Sequence, residues 1–176
     1  MGPRPSALAV AGMLAASAWA SAGTVELIGK TMPPYPDQLQ DMGGACVSDS
    51  LDPAHVCDYS IAVLGAATGA GDGADAEPQP RYVVAGRMAG REGRTALWKI
   101  TDAQPYPEVA AGFSWQVGSC RLDKVDDGRV VAIVRQDRQQ EYLAEVSWAR
   151  RLDLASGKFT TLVPSRVDCV NEGYGE

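Results

Sequence analysis

Residues 141–163 read EYLAEVSWARRLDLASGKFTTLV. Apolar and polar side chains alternate, the small segment ASGK interrupts, and alternation resumes. Period two is the signature of a strand, and Gly157 is free to take the positive φ that a short turn needs. The stretch therefore predicts an antiparallel hairpin turning at residues 155–158. Tyr142, Ala144, Val146 and Trp148 fall on one face; Leu143, Glu145, Ser147 and Ala149 fall on the other. The first set carries no charge and is expected to face the core. Arg150 shares its parity with Leu152 and Leu154. Either it snorkels at the sheet margin or a bulge at 149–151 resets the register; the snorkel is expected, because both leucines then keep their places.

Working outward, the same alternation recurs. Residues 24–30 (TVELIGK) read as a first strand, and 31–44, with three prolines and a Gly pair, as a loop with one helical turn at 37–42. Residues 58–68 (DYSIAVLGAAT) read as a buried strand, and 69–80 (GAGDGADAEPQP) as a loop unable to form a core. Residues 81–88 and 94–101 are strands joined by a Gly-rich tip, 102–112 is a connector, and 113–125 (FSWQVGSCRLDKV) is one long strand. The Asp-Gly of 126–128 is a hairpin signal before RVVAIVRQD. Residues 166–170 close the sheet. These strands, eight or nine in number with almost no helical periodicity, give an all-β antiparallel fold: a sandwich, or a partly open barrel or meander.

The run at 148–162 (WARRLDLASGKFTTL) resembles the outer strands of a β-propeller blade. A propeller needs four or more blades of about 40 residues, and the chain has neither that length nor that repeat. The resemblance thus implies a hairpin and no function.

The first 22 residues have the layout of an export signal. Arg4 supplies the positive charge, residues 7–20 an apolar run shorter than the roughly 20 residues of a membrane span, and Ala20-Ser21-Ala22 a small-x-small cleavage site. No Cys follows it, which argues against lipoprotein processing. Cleavage is expected after Ala22, leaving residues 23–176 as a single β-rich domain, periplasmic or secreted and of bacterial style. Loss of Arg4 leaves 15 basic against 22 acidic residues, a charge of −7 that disfavours nucleic acid and anionic lipid. The basic run RMAGREGR (87–94) reads as a solvated hairpin tip.

Cys46, Cys57, Cys120 and Cys169 form an even set in an oxidising compartment, which argues for disulfides. Of the three pairings, Cys46–Cys57 and Cys120–Cys169 are favoured. The first closes a short polar loop, and the second ties a middle strand to the last. With no CxxC and a single His, zinc is not expected.

Other chemistry is thin. GAGDGA (69–74) matches a dinucleotide fingerprint, but prolines follow where a helix must start, so no nucleotide cofactor is expected. His55 stands near Asp52, Asp58 and Cys57, yet no GxSxG exists to accompany it. Glu141, Glu145, Asp123, Asp126 and Asp127 could supply a glycosidase pair, but they fall on turns or solvent faces. GDGAD (71–75) and DKVDD (123–127) offer clustered oxygens for calcium without EF-hand spacing. No catalytic residue is assigned. Trp98, Trp115 and Trp148 occupy three strands and are core residues or, alternatively, a ligand platform. The expectation is a non-enzymatic binding or inhibitor-like protein whose partner is an extracytoplasmic protein or glycan. The alternatives are a hydrolase of cell-envelope polymer using loop carboxylates, or an accessory subunit of an envelope assembly. Converging carboxylates in a cleft favour the enzyme; an apolar patch or open strand edge favours binding.

Overall fold

The computed structural model describes residues 26–36, 38–66 and 78–175. The expected signal segment, the Gly-rich loop with its fingerprint and its GDGAD oxygens, and the start of the first expected strand lie outside the described residues.

The fold is all-β and antiparallel. In chain order the strands are β1 Thr31–Met32, β2 Leu39–Val47, β3 Tyr59–Ala66, β4 Gln79–Glu92, β5 Thr95–Pro105, β6 Phe113–Val117, β7 Cys120–Leu122, β8 Val125–Asp126, β9 Val130–Arg135, β10 Tyr142–Leu143, β11 Val146–Asp153, β12 Lys158–Thr161 and β13 Val167–Val170. Nine of them span four residues or more, in line with the sequence expectation. They form three sheets with the orders β1-β5-β4-β3-β2, β12-β11-β9-β6 and β10-β13-β7-β8.

The three sheets are stacked, with the four-stranded β9 sheet in the middle. Val47, Ile61, Val63, Val83 and Ala85 of the five-stranded sheet pack on Val131, Leu152, Leu154 and Phe159 of the middle sheet. On its other side Val130, Ala132, Val134 and Ala149 pack on Cys120, Leu143, Val167 and Cys169 of the third. This explains the apolar run VVAIV in β9: a strand covered on both faces has no solvent side to alternate toward. A third cluster lies on the outer face of the five-stranded sheet. There Leu64, Val84, Ile100 and Ala103 are covered by Leu27 and Met32.

Both disulfides form as paired in the sequence reading: Cys46–Cys57 and Cys120–Cys169. Cys120 and Cys169 face each other directly across β7 and β13, with Cα atoms 3.8 Å apart.

Several local expectations are corrected. Residues 26–30 turn instead of extending, and only Thr31–Met32 pairs, with β5. Residues 39–44 of the expected Pro/Gly loop, including most of its helical turn, belong to strand β2, where the Gly pair is absorbed at a bulge. Residues 113–125 are not one strand. Gly118, at φ +83°, breaks the run, sending β6 to the middle sheet and β7 to the outer one. The hairpin turn falls at Asp123-Lys124, both at positive φ (52° and 68°), with Leu122 opposite Val125. Asp127-Gly128 instead carries the chain between sheets. The β4–β5 hairpin tip shrinks to Gly93-Arg94; Arg87 sits within β4, donating to the Leu154 carbonyl at 3.3 Å. Only the outer part of the basic run is tip.

The opening ribbon splits too. Tyr142–Leu143 leaves it to pair with β13, while β11 and β12 form the hairpin. The Asp153 carboxylate accepts from the Ala155 and Ser156 amides and organises the turn. Gly157 takes φ +69° as expected. A bulge does occur, at Ser147 instead of 149–151. It flips the parity, so Val146 packs in the second core and Trp148 against the first. The expected common face of Tyr142, Ala144, Val146 and Trp148 is therefore broken, and Leu143 and Ala149 are buried. Arg150 snorkels as expected: its guanidinium lies over the Trp148 ring at 4.8 Å and donates to Gln104 at 3.2 Å.

Candidate functional site

The outer face of the five-stranded sheet holds a pocket, and its origin is local. Opposite Val63, strand β2 carries two residues, Met42 and Gly43, where a regular ladder has one. Met42 drops into the inner core and Gly43 takes φ +114°. Asp41 and Gly44, an odd number of positions apart, thereby end on the same outer face and both line the pocket. The floor is made of small residues. Ser60 and Ala62 line it from β3, and Gly44 has no room for a side chain: a Cβ there would lie 2.1 Å from the Ile61 carbonyl oxygen. Beside them Gly86 lets Trp98 lie close, since a Cβ would meet Ser60 Oγ at 2.8 Å and Trp98 Cβ at 3.0 Å.

Bulkier groups build the rim. Met32, buried at the end of the N-terminal strap, sits opposite Trp98 in the β1–β5 pairing. The strap is pinned by the Gly29 amide to the Ile100 carbonyl (2.8 Å) and the Ile100 amide to the Lys30 carbonyl (2.9 Å). Tyr35 and Asp41 close the polar side. Tyr35 Oη donates to Asp41 Oδ2 at 3.1 Å, and the Gly43 amide donates to Asp41 Oδ1 at 2.8 Å. Burial, the Asp41 charge and that hydrogen bond together push the Tyr35 hydroxyl up to about 12. It remains a neutral donor throughout the physiological range. The pocket opens to solvent on one side and has a cavity volume of about 180 Å³. A dry cavity of about 150 Å³ is known to hold benzene. The arrangement suits one small ring or branched alkyl group with a polar end at Tyr35 and Asp41.

The residues singled out in the sequence are scattered. Trp98 is on the pocket rim. Trp115 and Trp148 pack on the opposite side of that sheet, against the inner core, so the three do not form a common platform. His55 is exposed on a single 3₁₀ turn, Pro53–His55, with Nδ1 3.0 Å from the Asp58 carboxylate. All four thiols are consumed in disulfides. The carboxylates are mostly engaged. Asp127 accepts from Arg129 (2.7 Å) and Arg151 (2.6 Å). Burial works to raise it, but those hydrogen bonds hold it below the usual carboxylate range. Asp123 pairs with Arg166, whose hydrogen bond lowers it likewise, and Glu145 pairs with Arg135 at 3.5 Å. Asp126 and Asp127 do share an open groove with Asp49, but Arg129 lines it as well. Among the described residues no cluster of His, Cys, Asp and Glu could hold a metal ion, and no helix is long and apolar enough to cross a membrane.

Sequence reasoning missed Tyr35, Asp41 and Ser60. The available signal was the Gly43-Gly44 pair, which marks a bulge when the flanking residues can extend.

The molecule thus defines a class: a disulfide-stapled stack of three antiparallel sheets with a small, mixed apolar and acidic pocket on an outer face. Compared with family models, with curated proteins and with solved structures, the chain has no match.

Proposed function

We propose that this is an exported bacterial binding protein without enzymatic activity, working in the periplasm or medium through the pocket between the N-terminal strap and the five-stranded sheet. The observation that carries the reading is the pocket's construction. A bulge, a floor of small residues and a hydrogen-bonded Tyr35–Asp41 pair keep open a space that ordinary sheet side chains would fill. Small-molecule sites have this make-up of apolar walls and a few fixed polar groups, and this one is smaller than the usual drug-sized pocket. Two disulfides support an oxidising location, and removal of residues 1–22 remains the expected route there. A hydrolase reading would rest on the Asp49–Asp126 groove, where the guanidinium of Arg129 and the engaged state of Asp127 work against a proton-donating acid.

The test is ligand-observed NMR on the full chain with a panel of benzene-sized compounds, repeated on Ala62→Leu, which fills the floor. Binding by the wild type and its loss in a variant of unchanged melting temperature is expected. Equal binding by both proteins, or none by either, refutes the reading. Turnover of envelope glycan that falls in Asp126→Asn would install the hydrolase instead.

A further inference from the structure

The pocket has a sign as well as a size. Asp41 is the one carboxylate on its lining, and no Lys, Arg or His lines it among the described residues. We propose that the pocket takes an organic ammonium group on a body about as large as a benzene ring, with the cation at Asp41 and the carbon against Trp98. The inference rests on the pocket being the binding site and adds the chemistry of its ligand.

Four observations carry it. First, Asp41 is held in place. The Gly43 amide and the Tyr35 hydroxyl each occupy one lone pair of a different carboxylate oxygen, leaving others to accept from an N–H donor. A carboxylate already oriented loses little freedom on binding, and its hydrogen bond to a charged donor is the stronger kind. Second, the rim offers aromatic faces. Trp98 and Tyr35 are both half-buried, and a cation over an indole or phenol ring is attracted by the ring quadrupole. Third, apart from the Ser60 hydroxyl the remaining side-chain wall is Met32, Ala62, Leu64, Val84 and Ile100, which suits carbon and holds no cationic partner for an anion. Tyr35 does donate, but to Asp41, so an incoming carboxylate would meet a like charge in its place. Fourth, the chain carries a net charge of −6, whose field concentrates cations near the surface.

Calorimetry on the full chain with both disulfides formed tests this with three near-isosteres: benzylammonium, benzyl alcohol and phenylacetate. Benzylammonium is expected to bind about tenfold more tightly than the alcohol, as expected for a cation gaining a ring face and a carboxylate, with phenylacetate weakest. In Asp41→Asn the preference is expected to shrink to within about twofold, because the ammonium loses more affinity than the alcohol does. A salt series on the wild type gives the same information without a variant: raising ionic strength should weaken benzylammonium and leave the alcohol unchanged. An unblocked alanine tripeptide, compared with its N-acetylated form, tells whether the ammonium can come from a chain terminus as well as from a free amine. Equal affinity of benzylammonium and benzyl alcohol, or a preference that survives in Asp41→Asn, overturns the proposal. If benzyl alcohol still binds in a manner abolished by Ala62→Leu, the binding-site reading stands and only the ammonium inference falls. If none of the three binds, both fall.

Discussion

Removing the disulfides one at a time separates what holds the fold from what shapes the pocket. Cys120–Cys169 closes a loop of 49 positions and Cys46–Cys57 one of 11. In the chain-entropy treatment the longer loop restrains the unfolded chain by about 4 kcal/mol and the shorter by about 3 kcal/mol. The difference between them, about 1 kcal/mol, depends only on the logarithm of loop length and so carries less error than either value. Position adds to it. Cys120 and Cys169 are fully buried between the middle and third sheets, so truncation also removes packed sulfur. Cys46 lies on the pocket wall and its bridge is partly exposed. The paired Ala variants Cys120→Ala/Cys169→Ala and Cys46→Ala/Cys57→Ala, unfolded in urea beside the wild type, give the comparison. The first pair is expected to lose more stability and still bind benzyl alcohol under native conditions. The second is expected to lose about 3 kcal/mol and to weaken binding. A larger stability loss from the short bridge, or binding lost only with the long one, would refute this division of roles.

Four further outcomes follow from packing and charge. Leu152 is fully buried between two sheets, so Leu152→Ala should cost about 3 kcal/mol in urea unfolding. Trp148→Ala, half-buried beside Arg150, should cost less. Gly44→Ala would set its Cβ 2.1 Å from the Ile61 carbonyl oxygen and 2.8 Å from Ala62 Cα, forcing backbone to move. We expect a loss of about 2 kcal/mol or more together with loss of pocket binding, read by thermal melting and NMR. Asp168, 2% exposed, receives hydrogen bonds from Arg121 at 2.7 and 2.9 Å and pairs with Lys124. The Arg121 bonds, against the opposing effect of burial, hold it below the usual carboxylate range. A depressed folded-state pKa contributes stability that is present above the unfolded value of about 3.9 and is lost as pH falls through the folded one. Asp168→Asn should therefore lower stability at neutral pH and flatten the decline below about pH 4 in pH-dependent urea midpoints.

What was legible in the sequence was whatever depended on local pattern and composition. Strands β3 and β9, the β11–β12 hairpin with its Gly157 turn, and the disulfide pairing all follow from period, composition and loop chemistry. What was not legible depended on single residues that break the period. The bulges at Met42-Gly43 and Ser147 each add one residue and flip every side chain beyond it, and nothing in MGGA or EVSW announces which residue is the extra one. The Asp123-Lys124 turn lacks the Gly that usually marks positive φ, so the Asp-Gly three residues later drew the hairpin to the wrong place. The pocket was hidden for the same reason. It is a product of the β2 bulge and of small residues on neighbouring strands, which have no joint signature along the chain.

The location of the site can be read directly from the indole N–H signals of Trp98, Trp115 and Trp148 in a nitrogen–proton correlation spectrum during titration with benzylammonium. The account expects Trp98 to shift progressively, with Trp115 and Trp148, on the far side of the sheet, unmoved. A titration that shifts Trp115 or Trp148 while Trp98 stays still would contradict it.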